Sequence, residues 1–127
     1  MQLLADTGYE VRETPGLGFV PGVVQKMNPQ LPAERIPHVG WNSVQQQKSS
    51  ELLLDIPDHT DFYFVHSFHF VSGNPAHVIG TTPYCGGIVS MVENGPVFGA
   101  QFHPEKSSKG GLRLLQNFLA LQVTAPC

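Results

Sequence analysis

Cysteine is scarce in this chain: among 127 residues only Cys85 and Cys127 carry a thiol. Two thiols make no disulfide framework, so a reduced, cytoplasmic protein is expected. Basic residues are also few. Seven Lys and Arg stand against ten Asp and Glu, for a net charge of −3, and no basic run occurs. Nucleic acid is not an expected partner. No apolar stretch approaches the roughly 20 residues that cross a bilayer, and the first residues do not read as a signal peptide. No membrane association is expected. The six histidines fall in no metal-binding pattern. There is no Cys pair and no His-Glu-x-x-His, and His66 and His69 sit three apart on a strand pattern, which sends them to opposite faces. No metal is expected. Internal repeats and low-complexity segments are missing too. What is present is an apolar content of 41%, enough for a core, in a single domain over residues 1–127.

Taken in order, residues 1–5 have a helical pattern without an N-cap before it. Residues 6–16 predict a loop, 17–22 a turn with apolar anchors, 23–27 a short strand and 28–34 another loop. Residues 35–44 predict two short extended segments about Gly40, and 45–48 a polar break. Ser49 or Ser50 can cap a helical turn over 51–54. Residues 61–71 predict one strand. Phe62, Phe64, His66, Phe68 and Phe70 fall on one side, with Tyr63, Val65, Ser67, His69 and Val71 on the other. Both sides are expected to be largely buried. After a turn at 72–75, strands are predicted over 76–82, 87–93 and 97–102, the last two joined by the hairpin turn Asn94-Gly95. A helix over 109–121 places Leu112, Leu115 and Leu119 in one stripe, with Leu114, Phe118 and Leu121 beside it. Residues 122–127 read as a frayed tail.

The chemistry concentrates in Gly99-Ala100-Gln101-Phe102-His103-Pro104-Glu105-Lys106-Ser107. An apolar strand runs into a His-Pro-Glu turn and a helix follows. The proline fixes its own φ and biases the residue before it away from helix. His103 and Glu105 can thus be held in fixed relative positions at a strand end. A histidine oriented by a carboxylate is the base half of a Cys-His-Glu or Ser-His-Asp group. Cys85, in Tyr84-Cys85-Gly86-Gly87, lies in an apparent hairpin with no strand-to-helix elbow after it, and it reads as an incidental thiol rather than the nucleophile.

This segment, together with Gly111-Leu112-Arg113-Leu114-Leu115-Gln116-Asn117-Phe118-Leu119, resembles the C-terminal signature of class I glutamine amidotransferases. Pro37-His38-Val39-Gly40-Trp41-Asn42, Tyr63-Phe64-Val65-His66-Ser67-Phe68 and Asn94-Gly95-Pro96-Val97-Phe98-Gly99 narrow the resemblance to the glutaminase subunits of imidazole glycerol phosphate synthases. The resemblance runs from Met1 to about Leu121. It implies an α/β fold: the C-terminal portion of a flavodoxin-like amidotransferase domain, a mixed sheet with few helices cut from a mostly parallel parent sheet.

By that resemblance His103 is the general base and acid and Glu105 its orienting carboxylate. His66, Ser67 and Phe68 belong to the segment whose backbone holds the glutamine substrate. Trp41 and Lys106, joined by Tyr63, face a (β/α)8-barrel cyclase partner. No cofactor is implied. In the family a Cys-Leu-Gly triplet stands directly before the matching Met-Gln-Leu-Leu, and its cysteine is the nucleophile on a sharp strand-to-helix elbow. Residues 1–5 are then expected to be the remnant of the nucleophile's helix, and the isolated chain is expected to be inactive. Loss of the preceding strands is expected to expose the Phe62-Phe64-Phe68-Phe70 row and a sheet edge, and so to favour a homo-oligomer. The competing reading is a non-catalytic oligomeric or binding module derived from an amidotransferase.

Overall fold

The computed structural model describes residues 1–124. Nine strands make up the sheet: β1 (Thr7–Gly8), β2 (Thr14–Pro15), β3 (Gly22–Lys26), β4 (His38–Gln46), β5 (Thr60–His66), β6 (Phe68–Ser72), β7 (Val78–Thr82), β8 (Ile88–Asn94) and β9 (Val97–Ala100). Their spatial order is β2-β1-β3-β6-β8-β7-β4-β5, with β9 paired to β8 off this path. One helix, α1 (Ser108–Thr124), follows a 3-10 turn over Pro104–Lys106. Among the described residues parallel pairing is confined to β1 with β3. The other pairings are antiparallel, so these residues build a mixed, hairpin-rich sheet with few helices.

Local chemistry accounts for most of the elements. Asn94 and Gly95 turn β8 back into β9, with Gly95 at φ +59, where a side chain is disfavoured. Ser50 caps the turn Glu51–Leu53 by accepting from the Leu52 N–H.

Four expectations are corrected. The N-terminal helix is a single 3-10 turn over Gln2–Leu4. The carbonyls of Leu3, Leu4 and Ala5 accept instead from Leu17, Val20 and Gly18, so no second helical turn forms. β4 runs unbroken through Gly40, which pairs with Phe64 and tolerates its φ of +130. The strand predicted over 61–71 is two strands, β5 and β6, broken at Ser67; β5 pairs with β4, whereas β6 pairs with β3 and β8. Its second face is not buried throughout, since Val65 is exposed and Tyr63 half-buried.

The phenylalanine row is a further correction: Phe62, Phe64 and Phe70 are buried and Phe68 is half-buried. Phe62 and Phe64 pack with Val44, Leu52, Leu53, Ile56, Ile79, Met91, Phe102 and Leu114 in one cluster. Phe70 packs with Ala5, Val20, Val24 and Val92 in another. In α1 the buried residues include Leu114 and Asn117, and the Asn117 amide donates to the Leu52 and Leu54 carbonyls at 2.9 and 2.8 Å. That contact turns the Leu112-Leu115-Leu119 stripe outward, with Leu112 58% and Leu119 62% exposed.

Candidate active site

His103 ends the segment after β9 and opens the Pro104–Lys106 turn. Its backbone is tied to β5 on both sides. The His103 N–H donates to the Tyr63 carbonyl at 2.9 Å. The Ser107 hydroxyl donates to the His103 carbonyl at 2.6 Å and accepts from the Tyr63 N–H at 2.9 Å. Ser107 is fully buried, so this hydroxyl works as an internal clamp rather than a surface contact. Gly111 makes the first turn of α1 possible beneath it: a Cβ there would lie 1.9 Å from the Pro104 carbonyl oxygen.

The His103 imidazole Nδ1 lies 3.0 Å from Glu105 Oε1, and both side chains remain open to solvent. Glu105 is held below the ordinary carboxylate range, first by its own backbone N–H and then by the His103 ring and Lys106. An ionised Glu105 accepts from Nδ1–H. That leaves Nε2 as the ring nitrogen able to take up or release a proton.

A cleft of about 540 Å³ adjoins this ring. His66, Ser67, Phe68, Gln101 and His103 line it together with Gln2. The structure therefore brings His66, Ser67 and Phe68 together with His103. Its details qualify their roles. The Ser67 carbonyl accepts from the Met27 N–H at 3.1 Å. The Phe68 carbonyl accepts from the Gln2 amide at 2.9 Å and stands 2.8 Å from His66 Nδ1. Both carbonyls of the strip are engaged by the chain itself. Gln2 also donates to Gln101 Oε1 at 2.9 Å, linking the N-terminal turn to the segment before His103.

Trp41 and Tyr63 are cross-strand partners on β4 and β5, their rings edge-on at 5.9 Å, with Trp41 55% exposed. Lys106 is exposed on the His103 turn. Cys85 lines a different cleft of about 400 Å³, with Gln30, Glu34, Thr82 and Tyr84. Burial and the nearby Glu34 carboxylate push its thiol up to about 11, far from a thiolate at neutral pH. Cys127 lies outside the described residues. Among the described residues no cluster of three His, Cys, Asp or Glu could hold a metal.

Sequence reasoning did not single out Gln2, Ser107 or His38. Ser107 had a signal available, as a small hydroxyl four residues after the histidine at the entry to a helix. Gln2 reaches the site through contacts to residues 66 and 99 positions away, which no local pattern encodes.

Residues 1–121 match the family Glutamine amidotransferase class-I. The chain is 43% identical over 121 residues to the imidazole glycerol phosphate synthase subunit HisH of Pelagibacter ubique, covering 95% of this chain and 58% of that protein. It is 48% identical over 120 residues to the HisH subunit of Rhodospirillum rubrum, covering 94% and 56%. It thus spans somewhat over half the length of these relatives. A similar solved structure is that of a putative GMP synthase protein from Thermoplasma acidophilum, with a TM-score of 0.63 and 18% identity over 81% of this chain and 49% of that one. That likeness speaks for the fold alone. The motif residues, the His103–Glu105 geometry and the match over residues 1–121 lead to one assignment: the chain belongs to the class I glutamine amidotransferase family.

Proposed function

We propose that this chain carries the proton-handling half and part of the substrate wall of a glutaminase that supplies ammonia for imidazole glycerol phosphate synthesis. The observation that carries this reading is the His103–Glu105 pair on the rim of a cleft shared with His66, Ser67 and Phe68. The names of its relatives at 43–48% identity supply the biosynthetic setting.

In the proposed reaction a thiol attacks the side-chain carboxamide carbon of glutamine, and His103 Nε2 takes the thiol proton. The protonated ring is stabilised by Glu105. It returns the proton to the departing nitrogen, and ammonia leaves a thioester. A water molecule, deprotonated by the same ring, then releases glutamate and restores the thiol. Cys85 is not that thiol, because it lines another cleft and resists ionisation. The nucleophile is proposed to come from outside these 127 residues, and a polypeptide of these residues alone is predicted to be inactive. The partner face is proposed to be Trp41, Tyr63 and Lys106, and its occupant the barrel-shaped cyclase. No metal or organic cofactor takes part in the proposed steps.

The test is a hybrid in which this chain replaces the matching segment of the Rhodospirillum rubrum HisH protein. Glutamate release by the hybrid, in the presence of that organism's cyclase, supports the reading. A soluble, folded hybrid that binds the cyclase but hydrolyses no glutamine overturns it.

One observation favours a second reading, a non-catalytic oligomer: the outward Leu112 and Leu119 leave an apolar stripe on α1. Light scattering at micromolar concentration separates the two. A monodisperse monomer removes the oligomer.

A further inference from the structure

Two of the motif histidines, one in each of two separate sequence segments, meet inside the fold. His38 on β4 is the direct cross-strand partner of His66 on β5. They are 4% and 8% exposed, and His38 Nδ1 lies 2.9 Å from His66 Nε2. The His38 ring is stacked between Phe64, at 4.8 Å between centroids, and Tyr84, at 4.0 Å.

The hydrogen-bond chemistry allows one direction through this pair. The Phe68 carbonyl can only accept, so His66 Nδ1, 2.8 Å away, carries the proton. A neutral imidazole has a single N–H, so His66 Nε2 accepts. His38 Nδ1 must then donate to it, which leaves His38 Nε2 as an acceptor. The Asn42 amide nitrogen stands 3.3 Å from that atom and donates. Every nitrogen in the chain has one consistent role with both rings neutral. A proton added to His66 would set two N–H groups face to face, unless His38 turned its own N–H against the Asn42 amide.

We infer that His38 and His66 are positioning residues: a one-way hydrogen-bond chain from Asn42 through both rings to the Phe68 carbonyl fixes the Ser67 kink and with it the cleft wall shared with His103. The kink is where the chain changes neighbours, from β4 to β3, across a single residue. His66 closes it by bonding forward two residues. Gln2 donates to the same carbonyl and reaches on to Gln101, just ahead of Phe102 and His103. One network therefore spans from β4 to the segment that carries the base.

The pair is placed to hold geometry, not to carry protons. Burial, and then the neighbouring His66, push His38 down to about 4, against a weaker upward pull from Glu34. Burial lowers His66 as well; the Phe68 carbonyl opposes this, and His69 and His103 add to it. Only the consequence for substrate binding rests on the proposed glutaminase function; the wiring itself does not.

Two sets of measurements test the inference. Long-range ¹H–¹⁵N NMR of the ring nitrogens in the 127-residue chain is expected to show both His38 and His66 as neutral Nδ1–H tautomers at pH 7. An Nε2–H tautomer at His66, or a charged ring at either position, overturns the wiring. His38→Ala is expected to shift the Ser67 and Phe68 amide signals and speed their hydrogen exchange by about tenfold, the size of one lost hydrogen bond. His38→Asn keeps a donor near the Nδ1 position and is expected to restore most of that protection. In the hybrid, His38→Ala is expected to raise KM for glutamine about tenfold, with kcat within about twofold. Unchanged amides in the alanine variant, no rescue by asparagine, or a loss confined to kcat overturns the positioning role. A hybrid without activity defeats the glutaminase reading, while the tautomers and amides still decide the pair.

Discussion

The molecule holds two histidine pairings that differ in nearly every physical respect. His38 and His66 are buried on paired strands, bonded to each other and to a carbonyl, with no carboxylate of the described residues in hydrogen-bond contact. His103 stands open at a cleft, with a carboxylate 3.0 Å from one nitrogen and the other nitrogen unassigned to the fold. Burial makes the imidazolium costly, so the first pair keeps one protonation state and serves as structure. The second pair is open to solvent and bonded to a carboxylate, the arrangement that the proposed proton-handling role requires. The same side chain is proposed as a strut in one place and as a proton carrier in the other, according to what surrounds it.

The largest effect expected from this contrast is a division of consequences. In the hybrid, His103→Ala is predicted to lower glutamate release by about 10²–10⁴-fold while changing stability by no more than ~0.5 kcal/mol. His38→Ala is predicted to act mainly on stability, with kcat within about twofold and the loss of release confined to a higher KM. It should destabilise by about 3 kcal/mol, through a lost aromatic stack and an unpaired buried nitrogen on His66. Chemical denaturation and a glutamate assay on the same two variants check both. Equal stability losses would erase the distinction.

Acid should act on the buried pair. The unfolded His38 takes a proton near pH 6.5 and the folded one only at about 4. Across that window the unfolded state binds more protons, so stability falls as pH is lowered. The size is of order 3 kcal/mol for a shift of this length. His66 and His69, also lowered by burial, add in the same direction. Urea melts at pH 7 and 4.5 should show the loss in the wild type and a smaller loss in His38→Asn.

A smaller effect is expected at the clamp between the two regions. Ser107→Ala removes a buried hydroxyl that joins the His103 carbonyl to the Tyr63 N–H. It is predicted to destabilise by ~1–2 kcal/mol. It should also lower kcat of the hybrid more than KM rises, because the base loses its tether rather than the cleft its wall. The smallest is at the outer face: Trp41→Ala is predicted to leave the fold within ~0.5 kcal/mol of wild type, while weakening cyclase binding in a titration.

The open region was far more legible in sequence than the buried one. The His-Pro-Glu turn, the helix after it, the Asn94-Gly95 hairpin and the Ser50 cap are local features, written in consecutive residues. The His38–His66 pair arises from a register that brings together positions 28 apart. Sequence placed the two histidines in separate motifs without joining them. The Ser67 break was hidden because aromatic alternation continues through it; what ends β5 is a side-chain bond and a change of strand partner. The aromatic row looked exposed because its covering, from Phe102 and Leu114 on one part and Ala5, Val20 and Val24 on another, comes from distant segments. The N-terminal helix failed because residues 17–20 compete for its carbonyls.

His103 and Glu105 are proposed to handle protons for a thiol that is not among the described residues of this chain. Glutamate release from glutamine, measured side by side for the 127-residue polypeptide, the hybrid and the hybrid carrying His103→Ala, tests it most directly. Release is expected from the unsubstituted hybrid only. Release by the polypeptide alone that vanishes on Cys85→Ser would contradict it.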